Sequence, residues 1–213
     1  GARGIALAQP EPGGYSNCDV VVDFSLAEGT VKLLRCLGKQ ALVVGTTGLN
    51  EDSATALGRH AQNNAVVLAA NFSTGVNVLL GLAAQAAKLL PDHDIEIVEM
   101  HHSRKRDAPS GTALALAKAI CDARGVDPSE KVVYGRAGDA GPRPKGEIGV
   151  HALRGGDIAG EHTISLSGPG ERLELGHFAT SRAAFADGAL QAARWLKGRP
   201  VGLYSMQDVL GLN

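Results

Sequence analysis

The stretch Ala41-Leu-Val-Val-Gly-Thr-Thr-Gly48 decides the predicted fold, because it joins a short apolar run to a polar turn bounded by glycines. Such a run is typical of a strand buried on both faces of a parallel sheet. Similar runs occupy Asp19–Phe24 and Ala65–Ala70, and the segments between the runs have helical composition. Ser25 is predicted to cap the first helix, with Glu28 at the spacing of a capping box. This alternation predicts an α/β fold with a doubly wound, Rossmann-like parallel sheet.

The turns that follow these three predicted strands are candidates for ligand binding. In doubly wound sheets, ligands bind outside the carboxyl ends of the strands. Those ends are Phe24–Ser25, Gly45–Gly48 and Ala70–Phe72. A Gly-Thr-Thr-Gly sequence alone indicates no more than a tight turn, but its position after a buried strand favours a ligand-binding edge.

The second half of the chain predicts an additional domain of the α+β type. An apolar helix at Asn77–Leu90 and a strand at Asp94–Met100 precede a helix at Ala113–Arg124, which Ser110 should cap and Gly125 should end. Beyond that helix, short apolar runs alternate with glycine turns, which predicts a mostly antiparallel sheet. Its strands are placed at 132–134, 148–153, 162–167 and 171–179.

The composition is that of an ordinary globular protein, with 44% apolar and 20% charged residues among 213. The formal net charge of −1 gives no global field that would attract nucleic acid or an anionic membrane. No apolar run approaches the roughly 20 residues of a membrane span. Cys18, Cys36 and Cys121 are far apart and lack metal-ligand spacing, so we expect reduced core thiols in a cytoplasmic protein.

The stretch Glu99-Met-His-His-Ser-Arg-Lys-Arg-Asp-Ala-Pro-Ser-Gly-Thr112 concentrates the titratable side chains. His101 and His102 are adjacent at a predicted strand end, so their rings should point to opposite faces and not chelate one metal. We therefore expect no metal site, and separate roles for the two rings. Five potentially cationic residues lie within 101–106, and they repel one another unless an anion joins them.

The Ser110-Gly111-Thr112 turn supplies a second means of holding an anion. Free backbone N–H groups and the helix dipole at a helix start favour a carboxylate or phosphate. A well-capped helix after a basic loop is the alternative interpretation. Asp107 could assist the helix start or pair with Arg104 or Arg106, and the sequence does not decide between these roles.

This stretch resembles the defining motif of the 4-hydroxy-tetrahydrodipicolinate reductase family, enzymes of the diaminopimelate route to lysine. The resemblance extends in order over essentially the whole chain, at Val22–Ser25, Val44–Gly48, Ala69–Asn77, Gly155–His162 and Asp208–Leu212. It implies NADH or NADPH as cofactor, a cyclic dicarboxylate as substrate and a homotetramer. It also implies a nucleotide-binding domain of residues 1–72 and 183–213, and a substrate-binding and tetramerisation domain of residues 73–182.

The resemblance also implies roles for individual residues. His101 would be the general acid/base and Lys105 the proton donor. The carboxylates of the substrate would be held by His102, Ser110, Gly111 and Thr112. The nicotinamide end of the cofactor would be lined by Gly45, Thr46, Thr47, Ala69, Ala70, Asn71 and Phe72.

The chain departs from the family pattern at its beginning. The family opens with a strand, a Gly-x-x-Gly-x-Met-Gly turn and a helix that receives the pyrophosphate, whereas the early glycines here follow no adequate strand. We therefore assign pyrophosphate binding to no residue, and expect an incomplete doubly wound sheet. The sequence leaves open NADH or NADPH preference. It also leaves two alternatives: a truncated, non-enzymatic reductase-like protein that binds a dicarboxylate but not the dinucleotide, and a phosphate-binding module.

Overall fold

The computed structural model describes residues 12–212. The sequence also predicts a short strand around Gly4–Leu7, and this segment lies outside the described residues. The chain forms two compact units, one of the residues up to Phe72 with those from Ala186 onward, the other of Ser73–Phe185. The elements in order are β1 (Val20–Asp23), α1 (Ala27–Leu34), β2 (Ala41–Val44), α2 (Glu51–Ala61), β3 (Ala65–Leu68), α3 (Thr74–Leu89), β4 (Asp94–His101), α4 (Gly111–Arg124), α5 (Pro128–Lys131), β5 (Val132–Tyr134), β6 (Ile148–Arg154), β7 (Glu161–Gly168), β8 (Glu171–Phe178), α6 (Ala183–Leu196), β9 (Gly202–Tyr204) and α7 (Met206–Leu210).

The first unit contains a four-stranded parallel sheet in the order β1-β2-β3-β9. Its central strands are fully buried and supply two separate cores. Val43 and Val67 belong to one core cluster, whereas Leu42, Val44 and Val66 belong to the other. Because successive side chains of a strand point to opposite faces, the sheet is covered on both sides. The predicted doubly wound parallel sheet is confirmed.

The prediction that Ser25 caps the first helix is wrong. Helix α1 begins after Leu26, and no side chain caps it. The reason is the buried carboxylate of Asp23, which accepts the Ser25 N–H at 2.9 Å and the Thr30 hydroxyl at 2.6 Å. Asp23 thus accepts hydrogen bonds from residues on both sides of the helix start. The backbone N–H of Ser25 closes the turn after β1, and the Ser25 side chain does not cap the helix.

The second unit contains a five-stranded sheet in the order β5-β6-β4-β7-β8. Strands β5, β6 and β4 are mutually parallel, whereas β7 is antiparallel to both β4 and β8. The prediction of a mostly antiparallel sheet is therefore wrong, because the sheet is mixed. The sequence signal came from the glycine turn at 168–170, which makes the β7–β8 hairpin. The crossover from β4 through α4 to β5 and β6 is long, and long crossovers produce parallel pairs.

One face of this sheet forms the core of the second unit. Ile95 and Ile97 of β4 are fully buried with Leu116 and Ile120 of α4. As predicted, Ser110 caps α4 and Gly125 ends it in the left-handed conformation, with φ of 66°. This packing fixes the start of α4 relative to the carboxyl end of β4.

Two remaining expectations concern cysteines and membranes. Of the three free cysteines only Cys121 is buried, so the expectation of core thiols is wrong for Cys18 and Cys36, which are half-buried. Across residues 12–212, no helix combines the length and the apolar character needed to cross a bilayer.

The opposite face of the second sheet carries a charge network centred on Glu96. The Glu96 carboxylate accepts from both Arg136 (2.9 and 3.1 Å) and Arg143 (3.0 Å), and it lies 2.7 Å from His151 Nε2. Burial alone would raise the pKa of Glu96, but the bonds from Arg136, His151 and Arg143 lower the pKa to about 2. Arg136 and Arg143 belong to the loop between β5 and β6, so this carboxylate fastens the loop to the sheet.

Replacing Glu96 with Gln should lower the stability of the fold in a pH-dependent manner. The folded-state pKa lies below the ordinary value of 4.5, so the carboxylate stabilises the fold above that pH and loses its contribution as the pH falls towards 2. The shift corresponds to about 3 kcal/mol at neutral pH. Denaturant unfolding of Glu96→Gln should therefore show a loss of about 2–3 kcal/mol at pH 7 and a shallower decline between pH 5 and pH 2.

Glu174→Gln is the matched control, since Glu174 lies on β8 in a largely exposed pair with Arg172. Exposed pairs contribute about 0–1 kcal/mol. Equal stability losses in the two variants would contradict the account of this network.

Candidate active site

The side chains of the Glu99–Thr112 motif lie where β4 ends and α4 begins, all within the second unit. His101 is the last residue of β4, Ser110 is the N-cap of α4, and Gly111 is its first residue. The loop between them carries His102 and Lys105. Sequence reasoning therefore located the elements of this region correctly, although not the side chains that connect them.

Glu99 is the group that connects them, and its side chain is completely buried. Its Oε1 accepts the Ser110 N–H at 3.0 Å and Arg154 Nη2 at 2.8 Å. Its Oε2 accepts Arg154 Nη1 at 2.9 Å and lies 2.6 Å from His101 Nδ1. Burial would raise the pKa of Glu99, but Arg154, His101 and the Ser110 N–H together hold the pKa below its ordinary value. Glu99 is therefore ionised at neutral pH.

His101 is largely enclosed, with 12% of its side chain exposed. Its Nδ1 faces Glu99, and its Nε2 faces Gly160. A Cβ at Gly160 would lie 2.9 Å from Nε2, and Gly160 has φ of 153°, a conformation that L residues rarely adopt. The absence of a side chain at Gly160 therefore makes room for the His101 ring itself.

His162 lies opposite Glu99 in the register of β7 with β4 and is buried. Its ring packs edge-on against that of His101, with 5.3 Å between centroids, and its Nε2 lies 2.9 Å from Ser110 Oγ. Burial, reinforced by the nearby His101, lowers the pKa of His162 to about 4, so His162 is neutral at pH 7. A neutral ring here adds no charge beside His101.

Ser110 is fully engaged by the protein around it. Its Oγ accepts the Ala113 N–H at 3.2 Å and contacts His162, while its N–H is bound by Glu99. Gly111, by contrast, is exposed, and the space where a Cβ would lie is open. Thr112 is half-buried on the same turn. The open part of the helix start is therefore at Gly111, with Ser110 supporting it.

Lys105 and Asp107 form an ion pair, in which Nζ lies 2.7 and 2.8 Å from the two carboxylate oxygens. This contact principally lowers the pKa of Asp107. The sequence leaves the role of Asp107 open between the helix start and a pair with Arg104 or Arg106, and the structure pairs Asp107 with Lys105 instead. Arg154 also donates to the Asp107 carbonyl at 2.7 Å, so the loop that carries Lys105 is tied to the same guanidinium as Glu99.

His102 lies in a positively charged environment. Partial burial lowers the pKa of His102, and the charges of Arg104, Arg182, His101 and Lys105 lower it further. Its backbone N–H donates to the Ile158 carbonyl at 2.8 Å, and its Nδ1 is buried without a hydrogen-bond partner. Such a cluster favours an anion. Over residues 12–212, no group of three or more His, Cys, Asp or Glu side chains is arranged to hold a metal ion.

The predicted cofactor residues lie in the first unit, at the carboxyl ends of β2 and β3. Thr46 is buried, and its hydroxyl donates to Asp23 at 3.2 Å. This hydrogen bond stabilises the carboxyl end of β2. Phe72 is 1% exposed and belongs to the core. The accessible residues are Thr47 and Ala70, with half-buried Gly45, Ala69 and Asn71 between them.

An exposed ring flanks this edge of the first unit. Phe24 is 55% exposed and packs edge-on against Phe72, with 5.4 Å between centroids. A Cβ at Gly45 would overlap the Phe24 ring. The close contact between the end of β2 and this ring therefore requires glycine. The edge thus combines an apolar ring with accessible backbone, which suits a flat aromatic group.

Sequence reasoning missed Glu99 as the centre of the site, and Arg154 and His162 as its neighbours. Arg154 and His162 flank the Gly155–Glu161 segment, which only the family resemblance had singled out. Their proximity to Glu99 depends on the strand register, in which His101 lies beside Arg154 and Glu99 beside His162. That register cannot be obtained from local composition.

Two family models match this chain. The model described as "Dihydrodipicolinate reductase, C-terminus" matches residues 75–210, and the model described as "Dihydrodipicolinate reductase, N-terminus" matches residues 5–72. Together they include every residue of the two regions described above.

Curated relatives agree with these matches. A 4-hydroxy-tetrahydrodipicolinate reductase of Pseudoalteromonas atlantica is 49% identical over 215 positions, which cover 100% of this chain and 80% of the relative. A protein of the same name from an Anaeromyxobacter species is 48% identical, covering 98% of this chain and 79% of the relative. A solved dipicolinate-bound dihydrodipicolinate reductase from Paenisporosarcina sp. TG-14 is 28% identical with a TM-score of 0.69, covering 89% of this chain and 72% of that one.

Proposed function

The chain belongs to the dihydrodipicolinate reductase family, and on that premise we propose that it reduces 4-hydroxy-tetrahydrodipicolinate with NADH or NADPH. This reaction is a step of the diaminopimelate route to lysine, and we place it in the cytoplasm. The two family models and the curated relatives support the activity, and the arrangement of the second unit supports the assignment of roles.

The observation that carries the proposal is the convergence of three features at the end of β4. His101 is held by Glu99 through its Nδ1, the cationic cluster around His102 favours an anion, and the start of α4 is open at Gly111. A cyclic dicarboxylate presents two negative groups on a rigid ring. We assign one carboxylate to the Gly111–Thr112 turn and the other to the cluster around His102.

Reduction by hydride leaves negative charge on the substrate, which a proton must neutralise. His101 is the general acid/base of the proposal, and Lys105 is the proton donor. Lys105 keeps 19% of its side chain exposed, and its partner Asp107 is 63% exposed, so the ion pair can open to a substrate at little cost.

The first unit is assigned to the dinucleotide, and its predicted edge residues fit the nicotinamide end. The nicotinamide end would contact the backbone of Gly45, Thr47 and Ala70. It would also contact the exposed ring of Phe24. NADH or NADPH supplies the hydride when it is bound. Residues 5–72 match the N-terminal model of the family, and nothing in the structure favours a non-enzymatic protein.

We also propose that the second unit assembles the chain into a homotetramer. The sheet face that carries Glu96 is not part of the core of this unit, and large apolar side chains lie exposed on it: Val98 (38%), Leu153 (40%) and Phe178 (60%). A row of exposed apolar residues on a sheet face favours burial against another surface.

Sedimentation velocity should show a tetramer that Phe178→Lys weakens, whereas a native chain that sediments as a monomer at micromolar concentration would refute this assembly.

Replacing His101 or Lys105 with Ala should each reduce kcat by about 10²–10⁴-fold, because each removes a proton-transfer group. The measurement is the oxidation of NADH and NADPH in the presence of enzymatically generated 4-hydroxy-tetrahydrodipicolinate. Lys118→Ala is the control, since Lys118 is an exposed residue of α4 that pairs with exposed Asp122. Native turnover in the His101 and Lys105 variants would overturn the residue assignment. The absence of NAD(P)H oxidation by the unaltered chain would overturn the proposed reaction.

A further inference from the structure

We infer that Glu99 is a positioning residue that fixes the proton of neutral His101 on Nδ1 and so leaves Nε2 as the nitrogen that exchanges a proton. The inference rests on the proposed function for its catalytic meaning, but not for its geometry. Its evidence is the set of contacts around one buried carboxylate.

The bonding capacity of Glu99 determines which of its contacts are donors. An ionised carboxylate only accepts hydrogen bonds. Arg154 and the Ser110 amide are obligate donors, and both bind Glu99. His101 Nδ1, at 2.6 Å from Oε2, must therefore be a donor as well, since two acceptors at that distance would repel. In neutral imidazole one nitrogen carries the proton, so Nε2 is the acceptor.

Glu99 remains charged although it is completely buried. A buried carboxylate without partners becomes protonated, because burial disfavours its charged form. Here Arg154 donates both terminal nitrogens to it, in the bidentate geometry that gives the strongest carboxylate contacts. The Ser110 amide adds a third donor, so the carboxylate remains ionised and keeps orienting His101.

The other ring nitrogen of His101, Nε2, lies beside Gly160. A Cβ at that position would lie 2.9 Å from Nε2, so glycine makes room for the ring. The neighbouring His162 is neutral and packs by its edge, so it confines the ring without adding a charge. His101 is thus fixed in tautomer by Glu99 and in orientation by His162. When His101 takes up a proton at Nε2, the adjacent carboxylate stabilises the imidazolium that forms.

The decisive experiment is nuclear magnetic resonance of the intact chain labelled with ¹⁵N in histidine. With its ring neutral, His101 of the unaltered protein should show a protonated Nδ1 and an unprotonated Nε2. In Glu99→Gln, the amide NH₂ can face Nδ1, and the proton should move to Nε2. A native His101 with its proton on Nε2 would overturn the inference, and this result requires no variant to fold.

Kinetics distinguish positioning from a general structural role. Glu99→Gln should lower kcat by about 10²-fold or more, with KM for the dinucleotide changed by less than about 3-fold, because only proton transfer at His101 is affected. Glu174→Gln, an exposed carboxylate on β8, should retain native values.

The outcomes of the two experiments are separable. The expected tautomer with native kcat in Glu99→Gln would overturn the positioning role in the reaction, while leaving the proposed function intact. An inactive native chain with the expected tautomer would overturn the proposed function, while the geometry of Glu99 and His101 stands.

Discussion

The pairing of Glu99 with Arg154 is the interaction on which the candidate active site depends. A carboxylate with no exposed surface is stable as an ion only when donors surround it, and Arg154 supplies two of the four contacts. Because Glu99 is on β4, Arg154 on β6 and Ser110 at the start of α4, one charge joins three elements. Removing Arg154 would leave the buried Glu99 carboxylate with His101 and the Ser110 amide as its donors, and breaking a buried ion pair in this way typically costs about 3–5 kcal/mol.

The sheet of the second unit carries two charge networks, one on each of its faces. On the face towards α3 and α4, the Glu99 network orients His101 at the edge of the apolar core. On the other face, the Glu96 network fastens the loop between β5 and β6. Alternate residues of β4 therefore serve two purposes, since Glu96 secures the fold and Glu99 organises the site. Asp94 and Glu96 share one face, where Arg143 binds both carboxylates, and Glu99 lies on the other face.

Much of the fold could be predicted from local signals, but the partners within the site could not. The apolar run before Gly45 identified a buried parallel strand, and Ser110 and Gly125 marked the ends of α4. Those features depend on near neighbours in sequence. The partnership of Glu99 with Arg154 spans 55 positions and depends on strand register, which composition does not encode. The mixed character of the second sheet was missed for the same reason.

The most direct test of the account is a titration of the ¹⁵N-labelled chain with pyridine-2,6-dicarboxylate, followed through backbone amide resonances. If the carboxylates are held by the start of α4 and the cluster beside Glu99, saturable shifts should be largest at His102, Gly111 and Thr112. Loss of those shifts in Arg154→Met, whose Glu99 has no bidentate partner, would link binding to the buried ion pair. Saturable binding that leaves all three amides unchanged would contradict the account.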